Sequence, residues 1–207
     1  MDKYKVLVVD DQIMPRQLFE SIIARSENFV LAASIASAEM ADLYCARGGI
    51  DIILMDVVMN EGPSGLEMSE KLKESYPEVK IVIVTSMPDA ALLEKARKIG
   101  VDSFWYKEIQ DAPLIDIMTR TMQGENIYPD TAPKVTVGLA DSTELTDREI
   151  EVLRMLVNGY SDKEIAQELS MSYHTARFHL NSLLTKTGCI SRTDLAIKAA
   201  KSGIVVV

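Results

Sequence analysis

The sequence predicts two domains of different class. A doubly wound α/β domain with a five-stranded parallel sheet covers residues 1–123, and an all-α domain of four helices covers 142–207. Three observations carry this. Short β-branched runs alternate with helix-like stretches five times before residue 123. The runs are continuously apolar rather than alternating, as suits strands buried on both faces. After residues 124–141, which hold two prolines and two glycines, show no sustained period and read as a linker, the alternation gives way to helix punctuation alone.

The strand-like runs are Tyr4–Val9, Phe29–Ile35, Ile50–Met55, Val79–Val84 and Ser103–Tyr106. Between and after them lie helical stretches at Pro15–Arg25, Ala38–Ala46, Leu66–Ser75, Ala90–Ile99 and Pro113–Met122. In the second domain Thr146-Asp-Arg-Glu149 and Ser161-Asp-Lys-Glu164 are capping boxes, in which a hydroxyl and a carboxylate reciprocally satisfy orphan amides. Ser172 is placed to cap a third helix ending at Gly188, and Ser191 a fourth ending at Gly203. Only Ser170-Met171-Ser172 separates the second and third helices. A turn that tight, leading into a helix without acidic residues, resembles a helix-turn-helix.

Bulk properties narrow the function classes. The formal charge is −9, yet residues 141–207 carry nine acidic and eight basic side chains, so the excess lies almost wholly upstream. Leu169 to Thr193 has no acid but holds Arg177, Lys186 and Arg192, a basic strip on a neutral domain. The longest apolar runs, Ile50–Met55 and Ile81–Val84, fall far short of the roughly 20 residues a bilayer span needs, so no membrane association is expected. The N-terminus shows no signal-peptide pattern. Cys45 and Cys189 stand apart with neither disulfide nor zinc spacing. A cytoplasmic location is the expectation.

The chemistry gathers at strand ends. Asp10-Asp11 closes the first run, Asp56 the third and Thr85 the fourth, and Lys107 follows the fifth. In a doubly wound sheet, ligands bind outside the carboxyl ends of the strands. One edge of the sheet then holds three carboxylates, which need a divalent cation to ionise together. An oxygen-rich site with few ligands suits Mg²⁺ carrying a phosphoryl oxygen, with a hydroxyl and an ammonium to stabilise the transferring group. Each residue alone is as readily a helix cap or a solvated charge; the set of five is what points to chemistry.

On these residues, positions 1–123 resemble the CheY-like receiver domain of response regulators, a flavodoxin-like fold. The resemblance implies that Asp56 is the phosphoacceptor, attacking a phosphohistidine on a sensor histidine kinase. It implies that Asp10 and Asp11 hold Mg²⁺, with Asp11, Asp56 and the backbone carbonyl of Val58 as direct ligands. It also implies that Lys107 pairs with the phosphoryl group, that Thr85 moves to hydrogen-bond it, and that Phe104 is the aromatic that turns inward as Thr85 moves. The sequence departs from the family pattern in its longer loop, Met59-Asn60-Glu61-Gly62-Pro63-Ser64-Gly65, in Glu108 after the lysine, and in Ser86 after the threonine.

Positions 142–207 resemble the LuxR-type helix-turn-helix through Leu145-Thr-Asp-Arg-Glu149, Val152-Leu153, Gly159-Tyr-Ser-Asp-Lys-Glu-Ile-Ala166, Thr175-Ala-Arg177, His179, Lys186 and Ser191-Arg192-Thr193. Together the two halves resemble the NarL/FixJ class. On the third helix Ala176, Leu180, Leu183, Leu184 and Thr187 form a stripe spaced for the core. Arg177, Phe178 and Asn181 fall opposite, toward a major groove, where Arg addresses guanine, Asn adenine and Phe a thymine methyl. Lys186 and Arg192 suit phosphate contacts, which set register without reading sequence.

The whole implies a phosphorylation-dependent transcription regulator rather than a turnover enzyme. It is expected to dimerise when phosphorylated and to bind double-stranded promoter DNA. A haloacid-dehalogenase-type phosphatase is disfavoured, because that chemistry needs a second Asp two residues beyond the nucleophile; Gln12 and Val58 occupy those positions. The remaining alternative is a phosphorylation-independent DNA-binding regulator with a vestigial or ligand-modulated receiver.

Overall fold

The computed structural model describes residues 3–59, 61–87, 90–107, 113–131, 133–202 and 204–205. The chain forms two compact units, the first ending at Thr131.

In the first unit, strands β1 (Tyr4–Val9), β2 (Phe29–Ile35), β3 (Ile52–Met55), β4 (Lys80–Thr85) and β5 (Ser103–Tyr106) form one parallel sheet. Helices α1 (Ile13–Ala24), α2 (Met40–Ala46), α3 (Gly65–Ser75), α4 (Ala90–Ile99) and α5 (Leu114–Met122) alternate with them. The strand order is β2-β1-β3-β4-β5, so the winding reverses between β1 and β3. Val6, Val8, Ile52, Leu54, Val82 and Val84 line one face, packed on Phe19 and Ile23 of α1 and on Leu114, Ile117 and Met118 of α5. The alternate residues Leu7, Val9, Ile53, Met55, Ile81 and Ile83 are equally buried on the other face. Burial on both faces is why β1, β3 and β4 read as apolar runs. β2, at the sheet edge, departs from the expectation, with Val30 and Leu31 exposed although its run is just as apolar.

The predicted elements appear with small shifts. β3 starts at Ile52 rather than Ile50, because Asp51 turns its carboxylate onto the Lys5 amide (2.6 Å) before the ladder begins. α1 starts two residues earlier than predicted, at Ile13, and α2 two later, at Met40. Ser64 and Glu67 form a full capping box that starts α3.

The second unit holds α6 (Asp147–Val157), α7 (Asp162–Glu168), α8 (Tyr173–Thr187) and α9 (Arg192–Ser202) around Val152, Leu153, Leu156, Ile165, Ala176, Leu180, Leu183, Leu195 and Ala199. Both predicted capping boxes are present, at Thr146/Glu149 and Ser161/Glu164. The Ser172 hydroxyl caps α8, and the Ser191 hydroxyl accepts from the Asp194 amide at the start of α9. The predicted stop of α9 at Gly203 lies outside the described residues.

α7 ends in a Schellman turn: the Met171 amide donates to Ala166 (2.9 Å) and the Ser170 amide to Gln167 (3.1 Å). Ser170 takes the left-handed position at φ 50°, where glycine is usual.

The segment read as linker carries structure at both ends. Ile127 forms an isolated parallel bridge with Ser103 of the first unit. In the second unit Thr136–Val137 (β6) and Ala140–Asp141 (β7) form a small antiparallel hairpin, and its Leu139 amide donates to the Thr187 carbonyl at the end of α8 (2.8 Å).

Candidate functional site

Sheet register assembles the acidic pocket. Val9 of β1 lies beside Met55 of β3, so the next residues, Asp10 and Asp56, leave the sheet side by side, and the Asp56 amide donates to Val9 (2.9 Å). Thr85 pairs in register with Tyr106, and the following Lys107 donates its amide to Thr85 (2.9 Å). All five predicted groups thus meet at the carboxyl edge of β1, β3, β4 and β5, next to the winding reversal.

Asp10, Asp56 and Thr85 are buried, and Asp11 is half-buried. Lys107 Nζ lies 2.6 Å from Asp10 Oδ2 and 3.2 Å from Asp56 Oδ2, one ammonium shared by two carboxylates. Asp56 Oδ1 accepts from the Val57 amide (2.8 Å), and Asp10 Oδ1 from the Gln12 amide (2.8 Å). Burial pushes the Asp56 carboxyl up to about 6; Lys107 pulls it back, and Asp10 adds to the rise. One oxygen from each of Asp10, Asp11 and Asp56 lies within 4.8 Å of the others. Three hard oxygen donors that close fit a small divalent cation. Val58 is half-buried two residues beyond Asp56. Phe104 is fully buried, its ring centroid 4.9 Å from that of Tyr106.

Two residues that sequence reasoning passed over shape this pocket. Gly65, the first residue of α3, leaves no room for a side chain: a Cβ there would stand 1.7 Å from the Asp56 carbonyl oxygen. Its amide donates to Val57 (3.0 Å), so the start of α3 is laid directly on the Asp56 backbone. The available signal was Ser64-Gly-Leu-Glu67, a capping box just after the acidic strand end. Arg16 reaches back to donate to the Asp10 carbonyl (2.6 Å), a contact with no local sequence signature. The departures at Asn60 and Glu108 lie outside the described residues.

On the second unit, α8 buries Ala176, Leu180, Leu183 and Thr187 with Leu184 half-buried, and it exposes Arg177, Phe178 and Asn181. Phe178 is 68% exposed, too much for a core aromatic. The Arg177 guanidinium lies 5.9 Å from the Tyr173 ring centre. Lys186 is occupied: it donates to Glu149 Oε2 (2.7 Å) and to the Glu144 carbonyl (2.8 Å). Burial alone would push Glu149 up, but the hydrogen bonds from Lys186, Ser182 and Thr146 outweigh it and hold the carboxyl at about 2. Arg192 donates to the Asp162 carboxylate and the Tyr160 carbonyl.

Among the described residues no helix is long and apolar enough to cross a membrane. Residues 6–119 match the family model of the response regulator receiver domain, and residues 143–199 that of the bacterial regulatory proteins of the luxR family. The response regulator protein VraR of Staphylococcus epidermidis is 29% identical over 206 residues, 97% of this chain and 98% of that protein. VraR of Staphylococcus aureus is equally similar. Among solved structures, the RcsB response regulator of Salmonella typhimurium superposes with a TM-score of 0.60 at 17% identity, covering 98% of this chain and 99% of that one. ChrA, a response regulator of a heme-sensing two-component system, gives 0.54 at 21% identity over 99% and 100%. The paired strand-end carboxylates and the exposed face of α8 therefore sit within matched domains, and the chain belongs to the two-component response regulators, with a receiver domain ahead of a luxR-family DNA-binding domain.

Proposed function

We propose that this response regulator controls transcription through phosphorylation of Asp56 by a sensor histidine kinase, and that the modified protein dimerises and binds promoter DNA in the cytoplasm through α8. The observation that carries the reading is the convergence of Asp10, Asp11, Asp56 and Lys107 at one sheet edge. The Asp56 carboxylate attacks phosphorus as the P–N bond to the kinase histidine breaks, so a P–O bond replaces it and the imidazole leaves. With Asp56 up to about 6, the carboxyl is mostly ionised at neutral pH and able to attack.

Asp11, Asp56 and the Val58 carbonyl, supported by Asp10, are the ligands proposed for Mg²⁺, which when bound neutralises charge on the carboxylates and the phosphoryl oxygens. Lys107 passes from its two carboxylates to a phosphoryl oxygen, and the Thr85 hydroxyl hydrogen-bonds another. Phe104 is the proposed aromatic of the switch. Asp56 is consumed once per signal, an acceptor rather than a turnover catalyst.

On the DNA side Arg177, Phe178 and Asn181 face the bases, and Lys186 and Arg192 approach phosphates at the edges of α8. The last two exchange part of an internal contact to do so. The test is labelling by acetyl phosphate and by a phosphorylated kinase, in Mg²⁺. Asp56→Ala is expected to abolish both; equal labelling of variant and wild type removes the assignment.

A further inference from the structure

The chain leaving α5 does not depart from the first unit. Gly124 turns it at φ +91°, and Ile127 then lies alongside the outer edge of β5. The Phe104 amide donates to the Ile127 carbonyl (2.8 Å), and the Ile127 amide donates to Ser103 Oγ (3.1 Å), which itself meets Thr121 Oγ1 (2.7 Å). Tyr128 is half-buried; its hydroxyl donates to the Val101 carbonyl, and its ring stacks 6.5 Å from Phe104. Arg97, near the end of α4, lies over that ring at 4.7 Å and donates to the Pro129 carbonyl (3.1 Å). Residues 125–129 are thus a one-rung strap held by three parts of the receiver: β5, the α4–β5 turn and the last turn of α4.

The strap touches Phe104 twice, through its amide and through its ring, and Phe104 lies on β5 three residues before Lys107, which follows the strand directly. We propose that residues 125–129 form a latch on the β5 edge that phosphorylation of Asp56 releases. This rests on the phosphoacceptor reading given above. When Lys107 and Thr85 shift toward a phosphoryl group, the end of β5 and α4 change register relative to each other. Ile127 is hydrogen-bonded to β5, while Ala96 and Arg97 of α4 hold Tyr128 and Pro129, so the strap loses contacts it holds only while both keep their places. Docked, the tether to the second unit runs from Pro129 to the hairpin; released, it runs from Gly124. Reach grows with the square root of freed length, so the released chain lets the second unit sample a wider range of positions and pair with a second copy.

The experiment is amide hydrogen exchange on the full chain with and without beryllofluoride and Mg²⁺. Peptides covering Asp10–Gln12 and Asp56–Val58 report whether the pocket is occupied. With the pocket protected, exchange at 125–129 is expected to rise at least ten-fold. Tyr128→Phe and Arg97→Gln are each expected to raise it without beryllofluoride and to leave little further increase on addition. If the pocket is protected while 125–129 is unchanged or slower, the latch is overturned and the phosphoacceptor site stands. If the pocket itself does not respond, the phosphoacceptor reading fails and takes the latch with it.

Discussion

Asp56 is a carboxylate that the fold holds away from water. Its carboxyl stands above its ordinary value, so below about pH 4 it contributes fully to stability, and that contribution is lost as pH rises through about 6. Asp56→Asn is therefore expected to stabilise the metal-free protein at pH 7 by about 1–3 kcal/mol. Added Mg²⁺ should narrow the gap, because the variant loses one of the three carboxylates and gains less from the metal; urea denaturation with and without the metal measures both. Gly65 bears on the same residue from the other side. Gly65→Ala must push either α3 or the Asp56 backbone away, since its Cβ overlaps the Asp56 carbonyl. Phosphodonor labelling is expected to fall about ten-fold or more, the scale on which misplacement of a reacting group slows chemistry. An alanine variant that labels at the wild-type rate would show that α3 yields freely.

At the scale of elements, the Ser170 turn and the Glu149 cluster are open to test. Ser170→Gly removes the left-handed penalty at the end of α7 and is expected to stabilise the second unit by about 0.5–1 kcal/mol in chemical denaturation. Glu149 caps α6 and also joins α6 to α8 through Ser182 and Lys186. Because its carboxyl is held down at about 2, its contribution is full above about pH 4.5 and disappears as pH falls through 2. Glu149→Gln is expected to cost about 1–3 kcal/mol at pH 7 and progressively less toward pH 2. Much of this level was legible in the sequence. Strands, capping boxes and the α8 core stripe are written in short-range patterns, and the five pocket residues stood out because each ends a strand. What escaped were pairings between distant positions: the Ile127 rung on β5, the 136–141 hairpin, and the partners of Lys186 and Arg192. A two-residue strand leaves no periodicity to read. An isolated lysine looks the same whether its carboxylate lies across the fold or it faces water.

For the whole molecule, charge and reading surface are unequally divided. Residues 141–207 net −1, and two of the cations beside the exposed face of α8, Lys186 and Arg192, already hold internal partners. DNA binding by one copy should be weak, strengthen on dimerisation, and show a shallow salt dependence, since each phosphate neutralised contributes a slope of only about 0.9. Titrations across ionic strength check this; a steep slope for a demonstrated monomer would contradict it. Arg177→Ala is expected to cost roughly 1–3 kcal/mol at one base-pair position and to relax preference there, whereas Lys186→Ala should weaken all sequences alike.

The hairpin at 136–141 has a practical corollary for recombining this protein. Gly138, at φ +62°, presses against the end of α8, where a Cβ would meet the Thr187 carbonyl at 2.1 Å, and Leu139 lies over Gly188. A chimera joined at residue 142, the border that helix punctuation suggests, would discard the strand pair that packs on the end of α8. Joined at residue 133, it would keep the pair. The shorter graft is expected to melt several degrees lower and to bind operator DNA less tightly, although both carry every residue of α6 to α9.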